Sequence, residues 1–290
     1  MFSIMFNCKE ESSHVYNLFE KEVSEFEEKG LNIGSITKKD STLFWSYNGT
    51  KEEWEHGILP YISAVLTKHI VDTKESEWLL TNIQEVFLYN DVEVAAEILE
   101  MAFSVLDGKK AEMPVYSHFY HRECFIYQPL LEDLRRNKQL QWEPFLTFRI
   151  GKYFSCLLHA LECTIDEYKW EQEYQTMVES FRDFVNRTVP AVPVVHLVYG
   201  EKVRFFDENY NEITTQMRMR CLVKDLVFEK ELLPEEMVIS PLVSMAPELL
   251  HIYSNSDEHG VIQTLQAVFQ ERVKVYPLHF MSSLNLKQIQ

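Results

Sequence analysis

Glycine is scarce in this chain and poorly placed for phosphate chemistry. The eight glycines among 290 residues never fall into P-loop or dinucleotide-binding spacing, which needs glycine wherever backbone must approach phosphate. Nucleotide-loop enzymes are thereby disfavoured. Gly-x-Ser-x-Gly and His-Glu-x-x-His are also missing, removing the common local signatures of serine hydrolysis and zinc peptidolysis. The five cysteines, Cys8, Cys124, Cys156, Cys163 and Cys221, are odd in number and contain no Cys-x-x-Cys pair, which points to reduced thiols in a cytoplasm rather than a disulfide framework. No apolar run approaches the roughly 20 residues of a membrane helix; the longest, Val189 to Tyr199, is broken by Pro190, Pro193 and His196. The N-terminus lacks a positive flank and turns acidic by Glu10 and Glu11, unlike a signal peptide.

Positive charge is the other shortage. Twenty-eight Lys and Arg against 45 Asp and Glu give a formal charge of −17, which repels polyanions and argues against general nucleic-acid binding. The trios Arg135, Arg136, Lys138 and Arg218, Arg220, Lys224 read as solvated helix faces. What the chain does have is 46% hydrophobic and 13% aromatic content, enough to order it almost throughout.

The opening residues Met1 to Phe6 read as an edge strand. Val15, Leu18, Phe19, Val23 and Phe26 recur at helical spacing before Gly30, predicting a helix from about Ser13 to Lys29. Leu43, Trp45 and Tyr47 alternate with Thr42, Phe44 and Ser46, predicting a strand paired with Leu31 to Thr37, and Asn48-Gly49 supplies a turn. Thr50 with Glu53 forms a capping-box pattern, Gly57 and Pro60 interrupt the helix it opens, and further helices follow at Tyr61 to Ile70, Glu75 to Leu88 and Asp91 to Leu106. Gly108-Lys109-Lys110 reads as a linker. Residues 111 to 141 sustain no period.

Phe145 to Leu161 predicts a helix, and Thr164 with Glu167 predicts the cap of another. In that second helix Trp170, Tyr174, Met177, Val178, Phe181, Phe184 and Val185 make one wide apolar stripe, facing either the core or a partner. Strands are predicted at Val194 to Tyr199 and Val203 to Phe206, helices around Arg218 to Phe228 and Glu235 to Met245, then Leu249 to Tyr253, a helix starting near Asp257, and Val273 to Tyr276. The last three elements predict a right-handed parallel crossover. The fold expected is α/β: an α+β N-terminal part with a helical extension over 1–110, an irregular and helical middle over 111–188, and an α/β C-terminal domain over 189–290 with a mixed sheet ending in a β-α-β unit.

The strings Phe145-Leu-Thr-Phe-Arg-Ile-Gly-Lys-Tyr153, Glu173 to Val185, Val195-His196-Leu197, Phe206-Asp207 and Phe269-Gln-Glu-Arg272 before Val273, in this order and spacing, resemble the YtxC-like family. The resemblance covers roughly half the chain well, the first 110 residues matching only in element order. It implies a cytoplasmic protein of spore-forming bacteria, associated with sporulation and without an established activity. Many members carry cysteines just after the final strand, where this chain has Tyr276, Pro277, Leu278 and His279; that departure argues against a thiol or metal role there.

Several constellations bear on chemistry. Cys156, His159 and Cys163 share one helical face at steps of three and four, a spacing that suits a cation, but their neighbours Leu157, Leu158 and Leu161 favour buried thiols; His118, His121 and Cys124 are spaced less well. His196 and Asp207 would be a base and its orienting carboxylate if they face each other across a strand pair, although Asp207 more simply starts a turn. Ser254, Asn255, Ser256 and Asp257 follow a strand and precede a helix, where free N–H groups bind anions; an N-cap explains the same residues. The reading is therefore a non-enzymatic binding or scaffold protein with a protein partner, no cofactor and no metal. An enzyme with a dispersed site near the C-terminal β-α-β unit is the alternative, and metal-dependent regulation through the thiols a third.

Overall fold

The computed structural model describes residues 2–109, 121–200, 202–229, 232–255 and 259–281. The chain divides into two compact units, Met1–Tyr168 and Lys169–Gln290.

In the first unit, β1 (Phe2–Met5), β2 (Ser35–Lys39), β3 (Thr42–Ser46) and β4 (Gln139–Gln141) form one sheet in the order β2-β3-β1-β4. Strand β1 is therefore not the edge strand that its terminal position suggested. It pairs antiparallel with β3 and parallel with β4, Ile4 lying opposite both Leu43 and Leu140. The tight turn joining β2 to β3 is made at Asp40, whose φ is 53°, and Asn48-Gly49 comes after β3 rather than closing the hairpin. Alternation puts Phe2, Ile4, Leu43 and Trp45 in the core. Helix α1 (Lys9–Glu28) covers them with Val15, Phe19 and Val23, and Phe19 meets Trp45 edge-on at 5.1 Å.

The capping box is formed, with Thr50 accepting from the Glu53 N–H and the Glu53 carboxylate accepting from the Thr50 N–H. It opens α2 (Lys51–Glu53), and neither Gly57 nor Pro60 interrupts the helical path. A π turn, Trp54–Ile58, carries the chain directly into α3 (Leu59–Glu85), with Pro60 in the first turn, where the missing proline N–H removes no helical bond. The two helices expected at Tyr61 to Ile70 and Glu75 to Leu88 are thus one. Helix α4 (Val92–Leu106) starts on the Asp91 side chain. The stretch without a readable period contains α5 (Cys124–Arg136) with Pro129 inside it, followed by β4 and α6 (Trp142–Phe148).

Glu75, Arg122 and Tyr153 tie these helices together. Arg122 donates to both Glu75 oxygens at 2.9 Å and to the Leu106 carbonyl at 3.0 Å, and the Tyr153 hydroxyl also donates to Glu75. Glu75 is almost completely buried, so its charge is tolerated only because the fork-shaped guanidinium satisfies it.

Helix α7 (Gly151–Arg187) joins the two expected helices into one, except that the start of the first, Phe145 to Phe148, falls in α6. Thr164 is not a cap; its hydroxyl donates to the Ala160 carbonyl at 2.7 Å inside the helix, the alternative such side chains take mid-helix. The last part of α7, from Lys169, belongs to the second unit. There β5 (Val194–Tyr199), β6 (Arg204–Phe206), β7 (Leu249–Ser254) and β8 (Val273–Pro277) form a sheet in the order β6-β5-β7-β8. Strands β5, β7 and β8 are parallel and β6 is antiparallel to β5, and α10 (Gly260–Phe269) links β7 to β8 as the expected parallel pairing requires.

One face of this sheet, carrying Val195, Leu197, Leu250 and Ile252, packs with α10, α9 (Ile239–Met245) and the α7 residues Val178, Phe181 and Val185. The apolar stripe of α7 is therefore only partly core. Phe181 is buried, Tyr174 and Phe184 are half-buried, and Trp170 is 71% exposed, so the stripe leaves the core toward its Trp170 end. Helix α8 (Thr215–Cys221) ends before the expected Phe228. Arg218 within it is no solvated residue: it is buried, donates to the Met237 carbonyl at 3.0 Å and lies 4.2 Å over the Phe205 ring. Among the described residues no helix is long and apolar enough to cross a membrane.

Candidate functional site

The parallel register brings the carboxyl ends of three strands into line, Tyr199 opposite Ser254 and Ser254 opposite Pro277. Ser254 is buried and Asn255 exposed; Ser256 and Asp257 lie outside the described residues. The cap of α10 is His259, whose ring accepts from the Val261 N–H at 3.4 Å. The Tyr199 hydroxyl reaches a ring nitrogen of His259 at 3.2 Å. Burial, with the nearby Glu229 charge, raises the Tyr199 pKa.

Beside this edge is a cavity of about 530 Å³ whose polar lining includes Tyr199, Lys202, Glu229, Glu235 and Glu236. An anion entering it would meet three carboxylates and one ammonium. Glu229 is already engaged, accepting from the backbone N–H groups of Val238, Ile239 and Ser240 at 2.9 to 3.0 Å, where a carboxylate complements the start of α9.

The sheet face opposite the main core carries a continuous set of rings. His196 stacks on Tyr210 at 4.4 Å and on His251 at 4.9 Å, and its Nδ1 lies 3.2 Å from the Tyr253 hydroxyl. Tyr276 continues the set from Tyr253 at 5.5 Å. Burial, helped by His251 and opposed by Asp207, lowers the His196 pKa from 6.5 to about 4. Burial and Lys274 lower that of His251 as well. Burial and Tyr210 raise that of Tyr253. At neutral pH His196 and His251 are therefore neutral rings, with the Lys274 ammonium beside His251.

Asp207 does not orient His196. Its Oδ1 accepts from the Asn209 and Asn211 N–H groups at 2.9 and 2.8 Å and its Oδ2 from the Asn211 side chain at 3.1 Å. Desolvation works against its charge, but these bonds outweigh it and hold the pKa below the usual value. Asp207 is the start of a turn, and the base and carboxylate suggested by the sequence have different partners.

Among the described residues the thiol clusters form no site either. Cys156 is half-buried and its pKa is pushed up, chiefly by burial. His159 is exposed, its Nδ1 lying 3.5 Å from Glu162, and Cys163 is half-buried. His121 and Cys124 are exposed, and His118 lies outside the described residues. Among the described residues no three His, Cys, Asp or Glu side chains are grouped to hold a metal.

A different feature of the second unit is an open groove of about 510 Å³ between α7 and the segment Asp225 to Phe228. Met177 and Phe181 line one side and Leu226, Val227 and Phe228 the other, with the exposed acids Glu173 and Asp225 beside them. Phe228 is 50% exposed. The stripe of α7 signalled one side of this groove in the sequence. Its other side lies beyond the short helix α8, in a stretch where a longer helix was expected. The ring stack was also not anticipated, because His251 and Tyr253 join His196 only through the β5 and β7 register.

The model of the YtxC-like family matches residues 60–274, reaching further toward the N-terminus than the strings that suggested it. The chain is also 30% identical over 219 residues to the "Uncharacterized protein YtxC" of Bacillus subtilis (strain 168), covering 76% of this chain and 77% of that one. No solved structure matches.

Proposed function

Because the chain belongs to the YtxC-like family and its candidate catalytic groups are each engaged elsewhere, we propose that it is a non-enzymatic binding protein. It acts through a protein partner in the cytoplasm during sporulation. The observation that carries this reading is the open groove of the second unit, with apolar walls and a half-exposed Phe228 at its side, since such surfaces mark interaction sites more often than catalysis. The sporulation setting rests on the family resemblance alone.

The enzyme reading keeps one observation in its favour, the cavity at the carboxyl ends of β5 and β7 beside the Tyr199–His259 pair. A spore-count assay separates the two. In Bacillus subtilis lacking its YtxC, this chain should restore any lost spore yield, and His196→Gln and His259→Gln variants should restore it equally well. A Met177→Ser, Phe228→Ser variant should fail while accumulating normally. Loss of function in the histidine variants with the groove variant still active would replace binding by catalysis, and unchanged spore yield without YtxC would refute the sporulation role.

A further inference from the structure

The groove also carries information about what fills it. Steps of seven and four residues return a helix to nearly the same face, so Trp170, Met177 and Phe181 lie on one line along α7. Phe181 is anchored in the core, Met177 is half-buried in the groove wall, and Trp170 continues the line into solvent at 71% exposure. All five tryptophans are described, and Trp170 alone among them is exposed. An exposed indole in line with an apolar groove is the kind of anchor that dominates protein interfaces.

Charge then selects among occupants. Glu173 and Asp225 line the groove, no Lys or Arg does, and neither acid has an ion-pair partner among the described residues. Glu171 and Glu179 add exposed acids to the same stretch of α7. A second copy of this chain would bring another formal charge of −17 against these carboxylates, and an anionic lipid surface would be repelled in the same way. A basic segment would be attracted. The volume of about 510 Å³ falls within the range of pockets that enclose several large groups, roughly 300 to 1,000 Å³.

We infer that Trp170, Met177, Leu226, Val227 and Phe228, with Glu173 and Asp225, form the docking surface for a segment of a partner protein that carries large apolar anchors flanked by Lys or Arg. This inference rests on the binding reading and specifies the partner's chemistry.

A random library of displayed peptides about a dozen residues long, long enough to lie in such a groove, tests it with the full chain. Selection on the wild type should enrich Leu, Ile, Phe or Trp together with Lys or Arg. The selected peptides should bind about thirty-fold more weakly to Trp170→Ala or Phe228→Ser, the loss expected for a hot-spot residue. Both substitutions are at exposed side chains, where folding is little affected. Selection on the double variant Glu173→Lys, Asp225→Lys should instead enrich acidic flanks. Peptides that bind the groove variants as well as the wild type would overturn this surface while leaving the binding reading intact. No enrichment on either protein would count against both. Dimerisation abolished by Phe228→Ser, or capture by anionic phosphatidylglycerol vesicles, would overturn the inference by replacing the occupant.

Discussion

His196 should make the second unit sensitive to mild acid, before most carboxylates titrate. The side chain is 6% exposed, lies between Tyr210 and His251, and its Nδ1 meets a neutral hydroxyl, so an imidazolium there would lose more in hydration than the Asp207 charge returns. Its folded pKa of about 4 against an ordinary 6.5 fixes the sign. Well above pH 6.5 both folded and unfolded states carry the neutral ring and nothing is lost. As pH falls through 6.5 the unfolded state takes up a proton that the folded state refuses, and stability declines until the folded ring titrates near pH 4. With about 1.4 kcal/mol for each pKa unit, the full loss is about 3 kcal/mol, most of it already present at pH 4.5.

The measurement is urea unfolding at pH 7.5, 6 and 4.5, with hydrogen exchange in peptides covering β5 and β7 to isolate the second unit. His196→Gln has no titrating ring there, so groups not coupled to His196 cancel in the comparison of wild type with variant. The wild type should lose about 2 to 3 kcal/mol more than the variant between pH 7.5 and 4.5. Equal losses in the two proteins, or a His196 ring that titrates near 6.5 by NMR, would refute the reasoning.

Phe181→Ala should destabilise the second unit by about 3 to 5 kcal/mol through lost transfer energy and a cavity, whereas Trp170→Ala should stay within about 0.5 kcal/mol, both read from urea midpoints. Arg122→Ala should cost about 3 to 5 kcal/mol because it leaves the Glu75 carboxylate buried and unpaired, while Glu75→Gln should cost less if the amide keeps the Tyr153 contact. Protein purified without added metal should contain no stoichiometric zinc; zinc that disappears in His159→Ala or Cys163→Ala would overturn the reading of those thiols. Acrylamide should quench a fully accessible tryptophan component in the wild type that is missing from Trp170→Ala.

Local patterns were the legible part of this fold. The alternation of Leu43 and Trp45, the box at Thr50 and Glu53, and the short apolar runs at Val194, Leu249 and Val273 each specify their own element, because turn chemistry and periodicity act over a few residues. Pairings distant in sequence were not legible. Nothing near Gln139 announces that it joins β1, and a terminal strand looks like an edge until its second neighbour is known. Signals with two meanings misled in another way. Thr164 has the side chain of a cap, but its hydroxyl found the Ala160 carbonyl instead, and Gly57 with Pro60 marked a change of helical pitch rather than an end. At the candidate site, Ser254 at the strand end could be placed from sequence, but the helix expected from near Asp257 begins at Gly260 with His259 as its cap, and the ring stack around His196 depends on β5 and β7 lying side by side in one particular register.

The position of β1 has a consequence for how the chain is made. Its antiparallel neighbour β3 leaves the ribosome within the first 46 residues, but its parallel neighbour β4 begins at Gln139, roughly ninety residues later. At about 5 to 20 residues per second, a nascent β2-β3-β1 sheet would wait some 5 to 18 seconds with the Phe2–Met5 backbone open along one side. An unpaired strand of this kind invites pairing with other chains. The interval before β4 arrives is thus when a trigger for misassembly, or a chaperone's protection against it, would have its greatest effect.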